Sequence, residues 1–428
     1  MIATATIVVL DHVTLDLNGG TLELHLSDPN SVGVRLRSNA ALANGHVVVQ
    51  SLGRPGTQAA IHAPVVVGPL YGEGGGPGRL SPDENVHGWT IRNLILSSDK
   101  NVPLSGDEGV GAVAIQVLGG CHDGLIENIV VPDSPFMSGA VHLDWGTIGQ
   151  IHSSQIALNR ETFDGGKGYT SHPHNITVRG IRIGRLSRPL GALGGTFGIR
   201  LSGVHDIKVS DVTVRSATEA ALFHTAGDLG FEFALPDARE RRCQGIRVRD
   251  VIVDDAQTGY LIWSNSFADN VARAVAAGYR PLLDPIHNTD IEFERVAGST
   301  SNAARAAYGV RIDHQRGGRI VDCRAVGFKS GFFIDEQVYD VELVRPVAIG
   351  SGDAGMSVGH PYRPPARIRV IEAVARGNGG RSRGGVGCGL SVGRSQDVSV
   401  IRVRAPVAGP QNCAVRIAKE AQGARVIQ

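Results

Sequence analysis

The chain has 428 residues, a formal net charge of +1 from 42 basic and 41 acidic residues, and a composition rich in glycine (57) and poor in aromatic residues (5%). Because the positive and negative charges nearly cancel, the chain has no general attraction to nucleic acid or to an anionic membrane, and we expect neither as a partner. No stretch approaches the ~18–20 consecutive apolar residues of a membrane-spanning helix. The abundant glycine predicts many tight turns around a thin core of Val, Ile and Leu.

The start of the chain, Met1 to Leu17, has no basic segment and already alternates like a β-strand. We therefore expect no signal peptide within these residues. The sequence does not fix a compartment, and a secreted or periplasmic location is our expectation.

Five cysteines are spread along the chain without any Cys-x-x-Cys pair. An odd number without metal-ligand spacing predicts neither a disulfide framework nor a zinc site. Two of them occupy a repeat position held elsewhere by valine, which predicts small core residues there. These two are Cys121 and Cys243, and the others are Cys323, Cys388 and Cys413.

One unit recurs along the chain, and its clearest copy runs from Gly198 to Ala217. A small residue opens a short alternating strand, a turn follows, and a second alternating strand precedes another turn. Self-similarity of this kind predicts stacked coils of parallel strands. The opening strands align at Gly33, Ala114, Ala140, Gly198, Ala220, Gly259, Gly309, Gly331, Gly355, Gly389 and Ala414.

The second strands alternate apolar and polar residues, as expected for strands with one buried face. They align from Trp89, Gly124, Ile176, Ile207 and Ile246. Helix signals are scarce, and the segment 269–277 is the one candidate.

These strands resemble the right-handed parallel β-helix of the pectin-lyase-like superfold, and the segment Val13 to Leu22 resembles its entry coil. The resemblance implies an all-β, single-stranded solenoid of roughly twelve coils at ~4.8 Å each, forming one domain over residues 1–428. It implies no single activity, because the superfold includes lyases, hydrolases, epimerases, tailspikes and adhesins. Family motifs are present only as fragments, such as Gly359-His360-Pro361 and Asp254-Asp255 of the polygalacturonase pattern.

Stacking the coils turns equivalent positions into columns of outward side chains. The first column is His142, Arg200, Leu222, Leu261, Arg311, Phe333, Ser357 and Ser391. The second is Asp144, Ser202, His224, Trp263, Asp313, Asp335, Gly359 and Gly393. His, Asp, Arg and Trp concentrate in the middle coils, which predicts a functional site there; the alternative is an ordinary solvated face.

A further column, at a turn, holds histidines. A linear file of imidazoles does not converge on one ion, so we interpret it as a polar turn stack rather than a metal site. The column is His87, His122, His174 and His205, followed by Gln244 and Tyr339.

Long insertions follow the opening strand in three of the middle coils, at 145–172, 226–242 and 264–286. Since all three leave the coil at the same corner, we expect them to form the walls of a groove. The alternatives are loop solvation or a subunit contact. They contribute Lys167, Tyr169 and Glu232 as candidate site residues.

A long groove suits an extended polysaccharide or oligosaccharide, and one candidate chemistry is β-elimination on an acidic polymer. It requires a cation for the sugar carboxylate and a base for the α-proton. Arg200 and Arg311 are the candidate cations and His142 is the candidate base, with Tyr169, His224 and Lys167 as competing bases.

The second candidate chemistry is hydrolysis by Asp313 and Asp335, which lie on adjacent coils and so about 5 Å apart, near the ~5–5.5 Å spacing of retaining glycosidases. The same pair could instead bind Ca²⁺, and otherwise no cofactor is expected. We favour a lyase over a hydrolase, with a glycan-binding tailspike or adhesin as the non-catalytic alternative, and a homo-oligomer such as a trimer stays open. Residues expected to contact substrate are Asp144, Lys167, Glu232, Trp263 and Glu336.

Overall fold

In a computed structural model, the protein consists of short parallel strands joined by tight turns, and no helix occurs in the described residues. The structure describes residues 1–27, 31–51, 63–68, 85–100, 112–134, 137–144, 172–186, 197–217, 222–225, 242–256, 260–265, 287–301, 308–380 and 387–428. The helix candidate 269–277 lies outside these ranges. No described segment forms a helix long and apolar enough to cross a membrane.

Two compact units make up the chain. The first comprises residues 1–212, 225–243 and 267–286, and the second comprises 213–224, 244–266 and 287–428. The single domain over residues 1–428 stays a prediction.

The strands up to the passage between the units are β1 (Ile2–Ala3), β2 (Ile7–Val9), β3 (Thr14–Asp16), β4 (Thr21–Leu26), β5 (Val34–Leu36), β6 (Ala41–Ser51), β7 (Val65–Val67), β8 (Thr90–Lys100), β9 (Ala112–Leu118), β10 (His122–Val131), β11 (Met137–Asp144), β12 (His174–Arg185), β13 (Phe197–Ser202) and β14 (His205–Ala217).

They continue as β15 (Leu222–Thr225), β16 (Gln244–Ala256), β17 (Ile262–Asn265), β18 (Asn288–Ser299), β19 (Tyr308–Ile312), β20 (Gln315–Val321), β21 (Arg324–Val326), β22 (Ser330–Ile334), β23 (Val338–Val344), β24 (Val347–Ile349), β25 (Met356–Val358), β26 (Arg369–Ile371), β27 (Val374–Arg376), β28 (Cys388–Val392), β29 (Ser395–Gln396), β30 (Ser399–Ile401), β31 (Cys413–Ile417), β32 (Ala421–Gln422) and β33 (Arg425–Ile427).

In the first unit the opening strands pair in parallel in the order β2, β5, β7, β9, β11, β13. Val141 lies opposite Ile115 on one side and Ile199 on the other. The predicted alignment of these coils is therefore confirmed. The second strands stack as β4, β6, β8, β10 and β12. Leu125 lies opposite both Thr90 and Thr177, as the aligned second strands predict.

In the second unit the opening strands pair in the order β17, β19, β22, β25, β28, β31. Each glycine that opens a strand here is required by close approach of the next coil. A Cβ on Gly309 would lie 2.5 Å from the carbonyl oxygen of Gly331, and one on Gly331 would lie 2.6 Å from that of Gly355. The small residue of the repeat is thus a steric condition for stacking the coils.

One coil of this unit departs from the predicted alignment. Ile262 pairs with Val310, so Leu261, and not Gly259, occupies the position of Gly309. Leu261 is fully buried, although the alignment predicts an outward side chain. A Cβ on Gly298, in β18, would overlap the Leu261 side chain. The space that a small residue at position 261 would leave free is therefore provided by the glycine at position 298. Trp263 consequently belongs to the first outward column, opposite Arg311.

Sharp bends, within the long second strands or between shorter strands, place one residue in the left-handed region, and polar side chains stack at these bends. In the first unit the Asn93 amide donates to the Asn44 side chain at 2.9 Å, and Asn128 donates to Asn93 at 3.0 Å. In the second unit arginine–aspartate pairs appear at turn positions, such as Arg345 Nε to Asp322 Oδ1 at 2.6 Å. These ladders satisfy the hydrogen bonding of polar side chains at residues with positive φ values of about 50–60°.

The histidine column forms in the first unit as predicted. The rings of His87 and His122 stack with centroids 5.4 Å apart, and those of His122 and His174 lie 4.6 Å apart. His172 joins them, with its ring 3.5 Å from that of His205. Within the described ranges, no group of three or more His, Cys, Asp or Glu side chains converges as a metal site would.

The histidine column predicts a loss of stability in acid. Burial, and then the neighbouring His205 and His174, lower the pKa of His172 from its ordinary 6.5 to about 3. The unfolded chain therefore binds this proton more readily, so the free energy of unfolding should fall as the pH drops from about 6.5 towards about 3. Urea unfolding at about pH 7 and about pH 4 measures the loss, and it should be smaller in His172→Gln. An equal loss in that variant would exclude His172 as a source.

The prediction from the cysteine spacing that no disulfides form is wrong for one pair of cysteines. Cys388 and Cys413 form a disulfide with Cα atoms 4.6 Å apart. They lie opposite each other at the start of β28 and β31, so stacking of the coils brings together residues that the spacing does not reveal. Cys121 and Cys243 are fully buried thiols, which confirms them as core residues.

Removing this disulfide should lower the free energy of unfolding. The bond closes a loop over a sequence separation of 25 residues, so we expect a loss of about 2–4 kcal/mol in Cys388→Ala/Cys413→Ala. Urea unfolding with and without a reductant measures it. The reductant should bring the unchanged protein down to the level of the variant and leave the variant itself unaffected. Equal stability of the two proteins without reductant would contradict the bond.

Candidate functional site

The predicted site residues fall into two groups, one in each unit. In the first unit, His142 lies opposite Gln116 on β9 and Arg200 on β13. His142 is only 4% exposed, and its ring meets the edge of Phe197 at 5.8 Å between centroids. The adjacency of His142 and Arg200 is therefore as predicted. Their roles as base and cation stay predictions.

The same outward column continues towards the start of the chain, beyond the predicted site residues. Gln116 and Arg35 are 3% and 4% exposed, and Val66 lies between them in register. Extending the column to the coils of Gly33 and Ala114 would have found both residues. Asp144 lies opposite Ser202, again as aligned.

Most of the predicted groove walls lie outside the described residues. This applies to the greater part of the insertions 145–172, 226–242 and 264–286, and with them Lys167, Tyr169 and Glu232. His224 is on β15, and its side chain also lies outside what the structure describes.

In the second unit, Arg311 connects the two predicted acids. Its Nε lies 3.1 Å from Asp313 Oδ2, and its Nη2 lies 2.8 Å from Asp335 Oδ2. The side chains of Asp313 and Asp335 are 5% and 7% exposed, whereas that of Arg311 is 25% exposed. The three residues come from adjacent strands, β19 and β22 and the turns that follow them, so coil stacking holds them in place. We refer to them as the acid pair and its bridging arginine.

Burial and the neighbouring charged groups have opposite effects on the pKa values of the acid pair. Burial raises the pKa of Asp335 above its ordinary value, and Arg311 and His360 act against this. Burial likewise raises the pKa of Asp313, while a hydrogen bond from His314 and the charge of Arg311 oppose the shift. Perturbed carboxyl groups of this kind are a common property of catalytic sites.

Glu336 adjoins the acid pair through His314. The His314 imidazole lies 3.5 Å from Asp313 through Nδ1 and 4.0 Å from Glu336 through Nε2. Arg363 approaches Glu336 on its other side at 3.5 Å. Glu336 is therefore an ion-paired neighbour of the pair, and its contact with substrate stays a prediction.

Aromatic rings surround Arg311, and only one of them, Trp263, was a predicted site residue. Tyr260 stacks on Trp263 at 4.9 Å and faces Tyr308 at 5.9 Å, and Tyr308 stacks on Phe333 at 4.8 Å. All four are partly exposed. Each tyrosine precedes a member of the outward column by three positions, a spacing that would have revealed them. The cluster offers apolar ring surface beside the acid pair.

His360 is a further residue beside the acid pair. Its Nδ1 accepts hydrogen bonds from the backbone amides of Arg363, at 3.0 Å, and Tyr362, at 3.4 Å. The proton of the neutral ring must therefore be on Nε2. The signal was present in the sequence, since Gly359 follows Asp335 in the second column and His360 comes next.

Calcium does not fit the acid pair as it stands. Arg311 already supplies the positive charge between the two carboxylates, in the position that a cation would occupy.

No protein-family model matches the chain, and no curated protein matches it either. Solved structures do. The A-module of the Azotobacter vinelandii mannuronan C-5 epimerase AlgE6 is 12% identical, with 96% of this chain and 91% of that one covered and a TM-score of 0.55. The chain has the right-handed parallel β-helix fold of the pectin-lyase-like superfold.

A Yersinia enterocolitica family 28 exopolygalacturonase shares the same fold. It is 9% identical, with 96% of this chain and 74% of that one covered and a TM-score of 0.52. At such identities the likeness concerns the fold alone. The predicted fold class is thereby confirmed, and the number of coils stays a prediction.

Proposed function

We propose that the protein is a carbohydrate-active enzyme, and that it hydrolyses glycosidic bonds of a polysaccharide or oligosaccharide at the acid pair in its second unit. The observation that carries the proposal is the contact of Arg311 with both Asp313 and Asp335. The epimerase and the exopolygalacturonase, by their names, both act on polymers of uronic sugars, which supports the same substrate class.

Glycosidases of this type divide the work between two carboxyl groups. One donates a proton to the departing glycosidic oxygen, and the other, ionised, attacks the anomeric carbon or takes a proton from the attacking water. We assign the first role to Asp335, because burial raises its pKa against the opposing effects of Arg311 and His360. We assign the second to Asp313: burial raises its pKa, and the hydrogen bond from His314 and the charge of Arg311 favour its ionised form against that effect.

Hydrolysis is favoured over β-elimination at this position because of the charge on Arg311. Elimination requires a cation whose charge is available to the sugar carboxylate. Arg311 is already in contact with two carboxylates. Its charge is therefore already engaged by the two acids before substrate binds, and it is not available to a sugar carboxylate.

Elimination is the second candidate, and we propose the first unit as its position. There His142 and Arg200 lie opposite each other on β11 and β13, which supplies a base and a cation on adjacent coils.

A panel of acidic and neutral polysaccharides tests the proposal. Hydrolysis should produce new reducing ends without the ultraviolet absorbance of an unsaturated uronate. New absorbance would favour elimination at His142 and Arg200 instead. Binding with neither product would leave a glycan-binding protein of the tailspike or adhesin type and refute both enzymatic functions.

A further inference from the structure

Beyond the acid pair, the residues on the outward face of the second unit become small. The first column continues from Phe333 through Ser357 and Ser391 to Arg416, as the register of β22, β25, β28 and β31 shows. The second column continues from Asp335 to Gly359 and then to Gly393. Large aromatic and acidic side chains are thus followed by serines and glycines over two coils, a distance of about 10 Å along the stack.

Basic side chains border this small-residue surface. Arg394 and Arg416 are both exposed. Arg394 donates from Nη1 to the carbonyl of Pro361 at 2.8 Å, which leaves its other donors for a ligand. Arg416 forms no ion pair with any residue in the described ranges. Lys419, at the corner after β31, lies 3.9 Å from Glu420 and is 91% exposed, so its charge is weakly compensated.

We propose that this surface binds the arm of an acidic polysaccharide that extends from the acid pair towards β31. We call it the basic shelf, and it consists of Ser357, Gly359, Ser391, Gly393, Arg394 and Arg416. This inference rests on the proposed hydrolysis at Asp313 and Asp335, and it specifies that the substrate carries carboxylates.

The occupant follows from the chemistry of the shelf. Guanidinium groups bind carboxylates through paired hydrogen bonds, and serine hydroxyls bind sugar hydroxyls. The side chain of Phe333 presents an apolar ring at the inner end of the shelf, next to Asp335. A neutral glycan would use the ring and the serines but would gain nothing from the arginines. The charge of the shelf therefore selects a carboxylated chain.

The shelf can be blocked without changing its charge. A Cβ on Gly393 would find its nearest atoms at 3.7 Å, an ordinary contact. A larger side chain at this position therefore fits the backbone and projects over the shelf. At Gly359, in contrast, a Cβ would lie 3.0 Å from the Gly393 backbone at a φ of +144°, so a substitution there would disturb the fold.

The experiment measures binding by affinity electrophoresis with polygalacturonate, alginate and carboxyl-reduced polygalacturonate, using the full chain. Arg394→Gln/Arg416→Gln should weaken binding of the two carboxylated polymers about tenfold and leave the carboxyl-reduced polymer unaffected. Gly393→Leu should weaken binding of all three. The matched control is Arg376→Gln/Arg404→Gln, which removes the same charge from exposed arginines on and beside β27 and should change binding less than about twofold.

The outcomes separate this inference from the proposed hydrolysis. Cleavage of a carboxylated polymer with unchanged binding by the double arginine variant would refute the shelf and leave the hydrolase. Arginine-dependent binding without cleavage of any polymer would refute the hydrolase. Failure of the unchanged protein to bind any carboxylated polymer, or an equal loss in the control variant, would overturn the shelf.

Discussion

Asp335→Asn should lower the turnover of the enzyme about 10³-fold on the polysaccharide that the panel identifies. Asparagine keeps the size of the side chain and removes the proton that the departing oxygen requires. The residue is 5% exposed and in contact with Arg311, so a neutral amide can occupy its place without leaving a buried charge. The measurement is the kcat for release of reducing ends.

The matched control for this variant is Asp322→Asn. Asp322 also pairs with an arginine, Arg345, in the same unit, but at an exposed turn. Asp322→Asn makes the same change of charge as Asp335→Asn, and its turnover should stay within about twofold of that of the unchanged enzyme. If both variants lose activity equally, the loss reflects the fold, and if neither does, the acid pair is not the catalytic site.

The pH dependence of turnover gives a second measure of Asp335. A general acid must be protonated, so kcat should fall as the pH rises through the pKa of Asp335. Burial raises that pKa, and His360 acts to lower it. His360→Gln should therefore move the alkaline limb of the profile to higher pH. If His360 had a purely structural role, His360→Gln would lower kcat at every pH without moving the alkaline limb.

Arg311→Met should destabilise the protein by about 3–5 kcal/mol at neutral pH. Methionine fills much of the same volume among the aromatic rings but leaves Asp313 and Asp335 buried without their cation. The loss should appear in urea unfolding. It should be largely restored when both acids are also replaced by asparagine, because the triple variant contains no buried charge at this position.

The sign of the pH dependence distinguishes this cause from simple loss of packing. Without Arg311, burial of the two carboxyls is opposed less strongly, by His314 at Asp313 and by His360 at Asp335, so their pKa values rise further above those of the unfolded chain. The folded variant then binds protons more readily than the unfolded one, so its stability should increase as the pH falls towards these raised values. A deficit that is independent of pH would contradict the electrostatic explanation.

The sequence reveals most of the fold because the conditions for a coil are local. Alternation sorts Phe332 and Ile334 to the core and Phe333 and Asp335 to the outside, and a glycine such as Gly331 is needed where the next coil approaches. Both signals lie within a few residues of chain. The alignment is wrong at Leu261, where the glycine that makes room is Gly298, in a different strand.

The same sequence signals predict only part of the candidate site. The sequence places Arg311, Asp313 and Asp335 on neighbouring coils, because column positions follow from the repeat. It does not show that Arg311 contacts both acids. That depends on the lateral reach of a long side chain between stacked coils, which no spacing encodes.

The sequence by itself therefore determined the parallel coils, the buried face of each strand and the columns in which the polar residues lie. The tertiary structure alone decided which residues of neighbouring coils meet: Cys388 with Cys413, and Arg311 with its two acids. The physical reason is that periodicity fixes the direction of a side chain, whereas contact depends on its length, its rotamer and the residue that stands one coil away.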